Sequence, residues 1–204
     1  MGRVSDAKTR LISAVLELIW TGSYGHTTID QICDKAGVKK GSFYYFFHCK
    51  ADLALAAFEA HWRVRQAELD LIFSPAVPPL QRLRHYCDFS YRSQLQIKRK
   101  YGRVLGCPLF AVGAEICTQE DGLRKKIEEI LQHNCHYLES AVRDAHAGGW
   151  VQAPDPAASA RMILAYSQGL LTQARIQNDA SVLRETARGI FAMLGVEPHP
   201  ARAA

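Results

Sequence analysis

The segment Thr27–Lys50, TTIDQICDKAGVKKGSFYYFFHCK, constrains the fold of this chain more than any other stretch. Thr28 precedes an apolar run and Gln31 lies three residues later, which is the sequence form of a helix capping box. Gly37 interrupts the helical pattern at a point where glycine adopts a left-handed conformation at low cost. A second short helix restarts at Lys39, so the segment predicts two helices joined by a tight turn.

The second predicted helix has a polar face suited to reading DNA. In a helix-turn-helix, this helix enters the major groove and its side chains contact phosphates and base edges. We expect Phe43, Phe46 and Phe47 to anchor the helix to the core. The residues expected at the DNA are Thr27, Thr28, Lys39, Lys40, Gly41, Ser42, Tyr44, Tyr45, His48 and Lys50. The lysines and Thr28 are expected at phosphates, while the sequence leaves open whether Ser42, Tyr44 and Tyr45 contact phosphates or bases. A structural helical hairpin is the alternative.

The run AGVKKGSFYYFFHCKADL resembles the signature AGVSKGTLYHYFPSKEAL of TetR-family transcriptional repressors. The matching positions include Gly37, Val38, Lys40, Gly41, Tyr44, Phe47, Lys50 and Leu53, and Ser42 replaces threonine. Lys39 and Cys49 stand where serines are usual, which removes two N-caps worth about 1 kcal/mol each. The match covers roughly the first quarter of the chain.

This resemblance implies an all-α fold of about nine helices. Residues 1–50 would form a three-helix DNA-binding head with the helix-turn-helix, and residues 51–204 a helical ligand-binding and dimerisation body. It further implies a repressor that a small-molecule inducer releases from double-stranded operator DNA. The chain would form a homodimer through its last two helices, so that two recognition helices enter successive major grooves.

The charge distribution favours a polyanionic partner. The chain has 204 residues and a net charge of +5, and residues 1–50 hold seven Lys and Arg against four Asp and Glu. The basic excess is therefore concentrated in the predicted reading head. No apolar run is long enough to cross a bilayer, and the N-terminus lacks the apolar core of a signal peptide. We expect a cytoplasmic protein without a membrane partner.

The rest of the chain predicts long helices separated by clear breakers. They are expected at about residues 5–20, 51–73, 80–101, 107–117, 119–147 and 155–177, with a last helix from Asp179 or Ser181 and a frayed tail from Pro198. A run with three prolines, residues 74–79, ends the second of them. An apolar pocket for the inducer is expected among the central helices. Its candidate residues, each also readable as core, are Tyr86, Phe89, Phe110, Tyr137, Tyr166 and Gln173.

The element Gly106-Cys107-Pro108-Leu109 marks a second candidate site. Proline fits the first helical position, so Cys107 is predicted as the N-cap of the following helix. The helix dipole and nearby Arg103 favour a thiolate there. The run GCPLFAVGAE also resembles the "GC-x-L…E" element of TetR-family repressors that respond to electrophiles, such as the N-ethylmaleimide-responsive ones. Cys107 is therefore either a sensing cysteine or a packing residue. All six cysteines lack a Cys-x-x-Cys pairing and are expected as reduced thiols.

No motif in the sequence supports catalysis or a cofactor. A glycine-rich phosphate loop, a nucleophile elbow and an HExxH pattern are absent, so we expect neither an enzyme nor a cofactor. His133 and His136 share a helical face but Cys135 points elsewhere, which argues against a metal site. The remaining alternative is a helical dimeric protein that binds DNA with low sequence specificity. Affinity for an operator relative to random duplex at equal salt separates the two.

Overall fold

The computed structural model describes residues 2–116 and 118–196, with side chains described from Asp6 onward, and this part of the chain is entirely helical. Its elements are α1 (Gly2–Thr21), α2 (Ile29–Ala36), α3 (Lys40–Phe46), α4 (Lys50–Ile72), α5 (Pro79–Tyr101), α6 (Pro108–Ile116), α7 (Asp121–Ala147), α8 (Pro156–Gln177) and α9 (Thr186–Met193), with a 3₁₀ helix (Ala180–Glu185) before the last. The all-α prediction is confirmed. Cys117 and the tail from Pro198 lie outside the described residues.

The predicted capping box at the start of α2 is confirmed. The backbone N–H of Gln31 donates to the Thr28 hydroxyl at 3.2 Å, and the Thr28 N–H donates to the Gln31 side chain at 2.9 Å. Gly37 then ends α2 with φ of 61°, where a side chain would be strained. Lys39 occupies the N-cap of α3 without a side-chain hydrogen bond, because its ammonium has no acceptor to offer.

The described residues pack as two compact units. The first falls within Met1–Gln66 and Cys107–Ile130, and the second within Ala67–Gly106 and Leu131–Ala204. The boundaries fall inside α4 and α7, so both helices contribute residues to each unit. Large apolar side chains fill the first unit, among them Leu11, Ile19, Ile32, Phe43, Leu53 and Phe58. This core packs α1 against α2 and α3 and thereby fixes the direction of the helix-turn-helix.

Arg82 of α5 holds the proline-rich loop of the second unit. Its Nε donates to the Val77 carbonyl at 2.7 Å, its Nη2 to the Pro75 carbonyl at 3.2 Å, and its Nη1 to the Asp144 carboxylate at 2.5 Å. The residue is only 3% exposed. A buried guanidinium is tolerated only when its donors are satisfied, so these bonds join the loop to α5 and α7.

The end of the chain differs from the prediction of one last helix. Asp179 caps the 3₁₀ helix by accepting from the Ser181 N–H at 2.9 Å, and α9 begins only at Thr186. Buried residues recur every three or four positions across both segments, which is why the sequence pattern did not separate them. Gly189 of α9 lies against Tyr166 of α8, where any Cβ would overlap the tyrosine ring.

Candidate DNA-binding surface

Helix α3 exposes two large aromatic side chains beside basic and small residues. Tyr44 is 52% and Tyr45 is 75% exposed, while Lys39, Lys40 and Gly41 are exposed as well. On the opposite side, Phe43 and Phe47 are buried as predicted, but Phe46 is only half-buried. The prediction that all three phenylalanines anchor the helix is therefore wrong for Phe46.

A groove of about 540 Å³ runs beside this helix, and Phe46 forms part of its wall. The residues that line it come from α1, the turn and α3: Ala7, Arg10, Gly37, Val38, Lys39, Gly41, Ser42, Tyr45 and Phe46. A Cβ added at Gly41 would meet no atom within 4 Å. Packing within the protein therefore does not require glycine at this position, although glycine costs helix stability.

Lys40 does not present a free charge in this structure. Its ammonium forms an ion pair with Asp30 of α2 at 2.8 Å, and both side chains are more than half exposed. The hydrogen bond with Asp30 raises the pKa of Lys40, so the lysine stays charged. Because exposed ion pairs are weak, a phosphate can compete with Asp30 for this lysine.

Arg10 of α1, which the sequence allows either at a phosphate or on a solvated face, lines this groove. Its Nη1 donates to the carbonyls of Ala36 at 2.9 Å and Gly37 at 3.3 Å. Its Nε also forms an ion pair with Asp6 at 3.3 Å. Arg10 therefore satisfies carbonyls that the end of helix α2 leaves unpaired and adds a positive charge to the groove.

Thr27 and Lys50 were both predicted at the DNA. In the structure their polar side-chain atoms donate hydrogen bonds to carbonyls of the loop between α1 and α2. Thr27 is buried and its hydroxyl donates to the Ser23 carbonyl at 2.7 Å. The Lys50 ammonium donates to the carbonyls of Tyr24 at 2.7 Å and Thr27 at 2.9 Å. It also lies 4.2 Å from the centre of the Tyr24 ring. Burial lowers the pKa of Lys50. The structure thus shows both side chains shaping the loop, while Thr28 and His48 remain exposed.

The same loop is also bound by Glu115 of α6. One carboxylate oxygen accepts from the Ser23 hydroxyl at 2.6 Å and from the Gly25 N–H at 2.7 Å. The other accepts from the Tyr24 N–H at 3.1 Å. Burial alone would raise the pKa of Glu115, but these hydrogen bonds outweigh it and the pKa is lowered. The sequence contained one signal for this role, because an acidic residue in the last turn of a helix opposes the helix dipole.

Cys107 occupies the N-cap position of α6, since its carbonyl accepts from the Ala111 N–H at 3.1 Å. The thiol is half-buried. Burial raises its pKa, and hydrogen bonds from the backbone of Phe110 and Leu109 and the charge of Arg65 only partly offset this effect. Burial thus outweighs the effect of the N-cap position, which by itself favours a thiolate. Among the described residues, the other cysteines are also free thiols.

The candidate inducer contacts are divided between the two compact units. Phe110 and Cys107 belong to the first unit, and the other candidates belong to the second. Within the second unit, Tyr86 is buried with its ring 5.9 Å from that of Phe73. The Tyr137 hydroxyl donates to Asp70. Phe89 and Tyr166 are half-buried, but Gln173 is exposed on α8. The prediction of Gln173 as an interior contact is wrong for the single chain, because helix α8 turns this residue outward.

Three polar atoms of the second unit were missed by the sequence analysis. The hydroxyls of Ser90 and Ser167 and the side-chain oxygen of Gln168 are buried without a hydrogen-bond partner in the protein. Buried polar atoms in native proteins nearly always have a partner. Their types carry no sequence signal, since serine and glutamine are more often exposed. Elsewhere in the described part of the chain, no three His, Cys, Asp or Glu side chains converge as a metal site.

Comparison with known proteins identifies the family of this chain. The family model for bacterial regulatory proteins of the tetR family matches residues 11–57. The model for the tetracyclin repressor-like C-terminal domain matches residues 79–190, more than half of the chain. This chain belongs to the TetR family. Members of this family are DNA-binding transcriptional regulators and not enzymes. The predictions of a DNA-binding regulator and of a protein that is not an enzyme are therefore confirmed.

Individual TetR-family relatives match over nearly their whole length. An uncharacterized HTH-type transcriptional regulator of Lactococcus lactis is 30% identical over 87% of this chain and 88% of its own. The crystal structure of a regulatory protein TetR from Rhodobacter sphaeroides is 28% identical, covers 92% of this chain and 98% of its own, and has a TM-score of 0.81. The Escherichia coli transcriptional repressor NemR is more distant, at 22% identity over 84% of this chain and 85% of its own. Among the described helices, none is long and apolar enough to cross a membrane.

Proposed function

We propose that this TetR-family regulator is a cytoplasmic repressor that binds a near-palindromic operator as a homodimer and leaves it when a small molecule binds the body. In this proposal residues 1–50 read DNA, and residues 51–204 bind the inducer and the second copy. The observation that carries it is the surface of α3. Tyr44 and Tyr45 are exposed beside the groove, and no described residue packs against Gly41 closely enough to require glycine there. Such a surface fits close approach of a DNA backbone.

The DNA contacts of this proposal follow the geometry of the groove. Lys39, Ser42 and Arg10 surround its opening with donors suited to phosphate. Lys40 contacts a phosphate after its ion pair with Asp30 breaks, so that the phosphate replaces the Asp30 carboxylate as its partner. Thr27 and Lys50 act indirectly through the loop they hold, and the exposed Thr28 and His48 remain proposed contacts.

The exposed face of α8 supports the homodimer. Met162, Ala165, Gly169, Thr172 and Ile176 follow one another at helical spacing, and all five are exposed in the single chain. Met162 is 55% and Ile176 78% exposed, which is unusual for apolar side chains in a protein without a partner there. Small residues at the centre of this stripe allow two helices to approach closely. We therefore place the second copy on α8, with α9 beside it.

The inducer site of this proposal lies in the second unit. The unpartnered oxygens of Ser90, Ser167 and Gln168 offer hydrogen-bonding groups in an apolar interior. A molecule that binds there more tightly in the DNA-incompetent conformation shifts the population by that difference in affinity. Phe89, Tyr86, Tyr137 and Tyr166 remain proposed apolar contacts.

For Cys107 the raised pKa supports a packing role in the resting protein. Its electrophile-sensing role is tested by maleimide labelling of the native protein, with Cys107→Ser as control. Rapid labelling at Cys107 together with release from DNA would restore the sensing role. Slow labelling would leave it as a packing residue.

Operator selection from a random DNA library tests the whole proposal. The purified protein should enrich a near-palindromic site and bind it far more tightly than random duplex at the same salt concentration. Light scattering should give the mass of a dimer. Equal affinity for all duplexes would instead support the low-specificity alternative, and a monomer that fails to bind would overturn the proposal.

A further inference from the structure

Two oppositely charged side chains hold the loop between α1 and α2, one through its N–H groups and the other through its carbonyls. Glu115 accepts hydrogen bonds from the N–H groups of Tyr24 and Gly25, and Lys50 donates to the carbonyls of Tyr24 and Thr27. Two N–H donors and two carbonyl acceptors of this loop, residues 22–28, therefore have charged partners. Hydrogen bonds to charged groups are roughly twice as strong as neutral ones. We call this arrangement the loop clamp.

The loop clamp determines where α2 begins. Thr27 is fixed by its hydroxyl bond to Ser23, and its own N–H donates to the Tyr24 carbonyl at 3.2 Å. The next residue, Thr28, is the N-cap of α2 and starts the capping box. A displacement of the loop would move this N-cap, and with it the first helix of the DNA-reading motif.

The two halves of the loop clamp come from different helices. Lys50 is the first residue of α4, which follows directly from the recognition helix. Glu115 lies near the end of α6, the helix that begins after Cys107. Hydrogen bonds weaken beyond about 3.2 Å, so a shift of α6 by roughly 1 Å would be enough to release Glu115 from the loop.

We propose that Glu115 is a positioning residue for DNA binding, which couples α6 directly to the start of the helix-turn-helix. This coupling rests on the proposed function as a DNA-binding repressor. In the clamped state the loop holds α2 and α3 in the DNA-competent geometry. When α6 moves away, the loop loses three hydrogen bonds and the reading helices lose their fixed starting point.

The charge of Glu115 gives this proposal a distinctive test, because two effects have opposite signs. Removing a negative charge near DNA strengthens binding by simple electrostatics. Removing the loop clamp weakens binding to a specific site, since α3 is no longer held. The variant Glu115→Ala should lose about tenfold or more in operator affinity at fixed salt, while its affinity for random duplex stays equal or rises. Glu120→Gln is the matched control, because its negative charge acts on Lys50 and Tyr24, whereas its side chain forms no hydrogen bond to the described residues of the loop.

Hydrogen exchange and a double-mutant cycle separate the clamp from a general loss of stability. In Glu115→Ala the amides of Tyr24 and Gly25 should exchange faster, while those of buried Ile32 and Phe43 stay protected. Ser23→Ala should weaken operator binding alone but add little in the Glu115→Ala background, because both changes break the same contact. Glu115→Gln keeps one acceptor and should give an intermediate loss.

The outcomes distinguish this inference from the proposed function. If the wild-type protein prefers no operator over random duplex, the proposed function fails and the inference with it. If the wild-type protein binds its operator and Glu115→Ala binds it equally well or better, the loop clamp is overturned while the repressor remains. Independent, additive effects of Ser23→Ala and Glu115→Ala would also overturn it.

Discussion

Lys40 of the recognition helix forms an ion pair with Asp30 of the preceding helix, with 2.8 Å between Nζ and Oδ1. In the free protein this pair neutralises a charge that the proposed complex needs at a phosphate. Both side chains are exposed, so the pair contributes little to folding. Its main effect is therefore on DNA affinity, where Asp30 competes with the phosphate for Lys40.

Asp30→Asn should strengthen binding to operator and to random duplex alike, by about two- to fivefold, because the gain is electrostatic. Fluorescence anisotropy at several salt concentrations measures it. Asp34→Asn removes the same charge from the other end of α2 and serves as the control. A gain of equal size in both variants would assign the effect to net charge alone.

Gly41→Ala should make the protein slightly more stable and the complex weaker. Alanine is favoured over glycine in a helix by up to about 1 kcal/mol, and the added methyl group meets nothing within the chain. At the DNA the methyl group would obstruct the backbone. Chemical unfolding and operator titration measure the two effects. Gly122→Ala, also at the second residue of a helix, should change stability without changing DNA binding.

Arg82→Met should cost about 3 kcal/mol of unfolding free energy, because two loop carbonyls lose their donors and Asp144 loses its partner. Urea denaturation gives this value. Arg143→Met removes an exposed arginine that pairs with Glu139 on the same helix, and should cost less than 1 kcal/mol. Equal losses in both variants would contradict the structural role of Arg82.

Stability should fall on mild acidification because of His61. Burial, and to a smaller degree the charge of Arg65, lowers the pKa of His61 from 6.5 to about 4. The unfolded chain then binds a proton between these values and the folded chain does not, so stability decreases as pH falls from 6.5 to 4 and levels off below. The full effect is at most about 3 kcal/mol. His61→Phe keeps an aromatic edge against Trp20 and should flatten the pH dependence of urea unfolding in this range.

Gly169→Arg should give a folded monomer. A Cβ at Gly169 meets no described atom within 4 Å, and an arginine at this exposed position would separate two copies that pair along α8. Light scattering should show half the wild-type mass, and operator affinity should fall because both half-sites are no longer bound together. Gln132→Arg, at an exposed position of α7, is the control. A dimeric Gly169→Arg protein would place the interface elsewhere.

Local chemistry explains which features the sequence predicted correctly. The Thr28 and Gln31 capping box and the left-handed Gly37 depend on residues a few positions apart, so their pattern was sufficient. The breaks at the proline run and at Asp155-Pro156 follow the same logic. These signals located the helix-turn-helix and nearly all helix ends.

Contacts between distant parts of the chain explain the rest. Cys107 has the N-cap position that favours a thiolate, but burial by the surrounding fold outweighs it. Glu115 meets a loop some ninety residues earlier in the chain, and no periodicity predicts such a contact. Phe46 and Gln173 were placed inward by their side-chain type and their helical face, which do not determine what the neighbouring helices cover.

The close approach of Gly189 to Tyr166 ties the identities of two positions together. While Tyr166 keeps its present position, a side chain larger than that of glycine at residue 189 would overlap the tyrosine ring. Among natural variants of this regulator, a methyl group or larger at 189 should therefore accompany a smaller residue at 166, and a protein carrying only the first change should have its last helix pushed off the one before it. The size of one ring thus predicts joint inheritance of two positions on the last two α-helices that the structure describes.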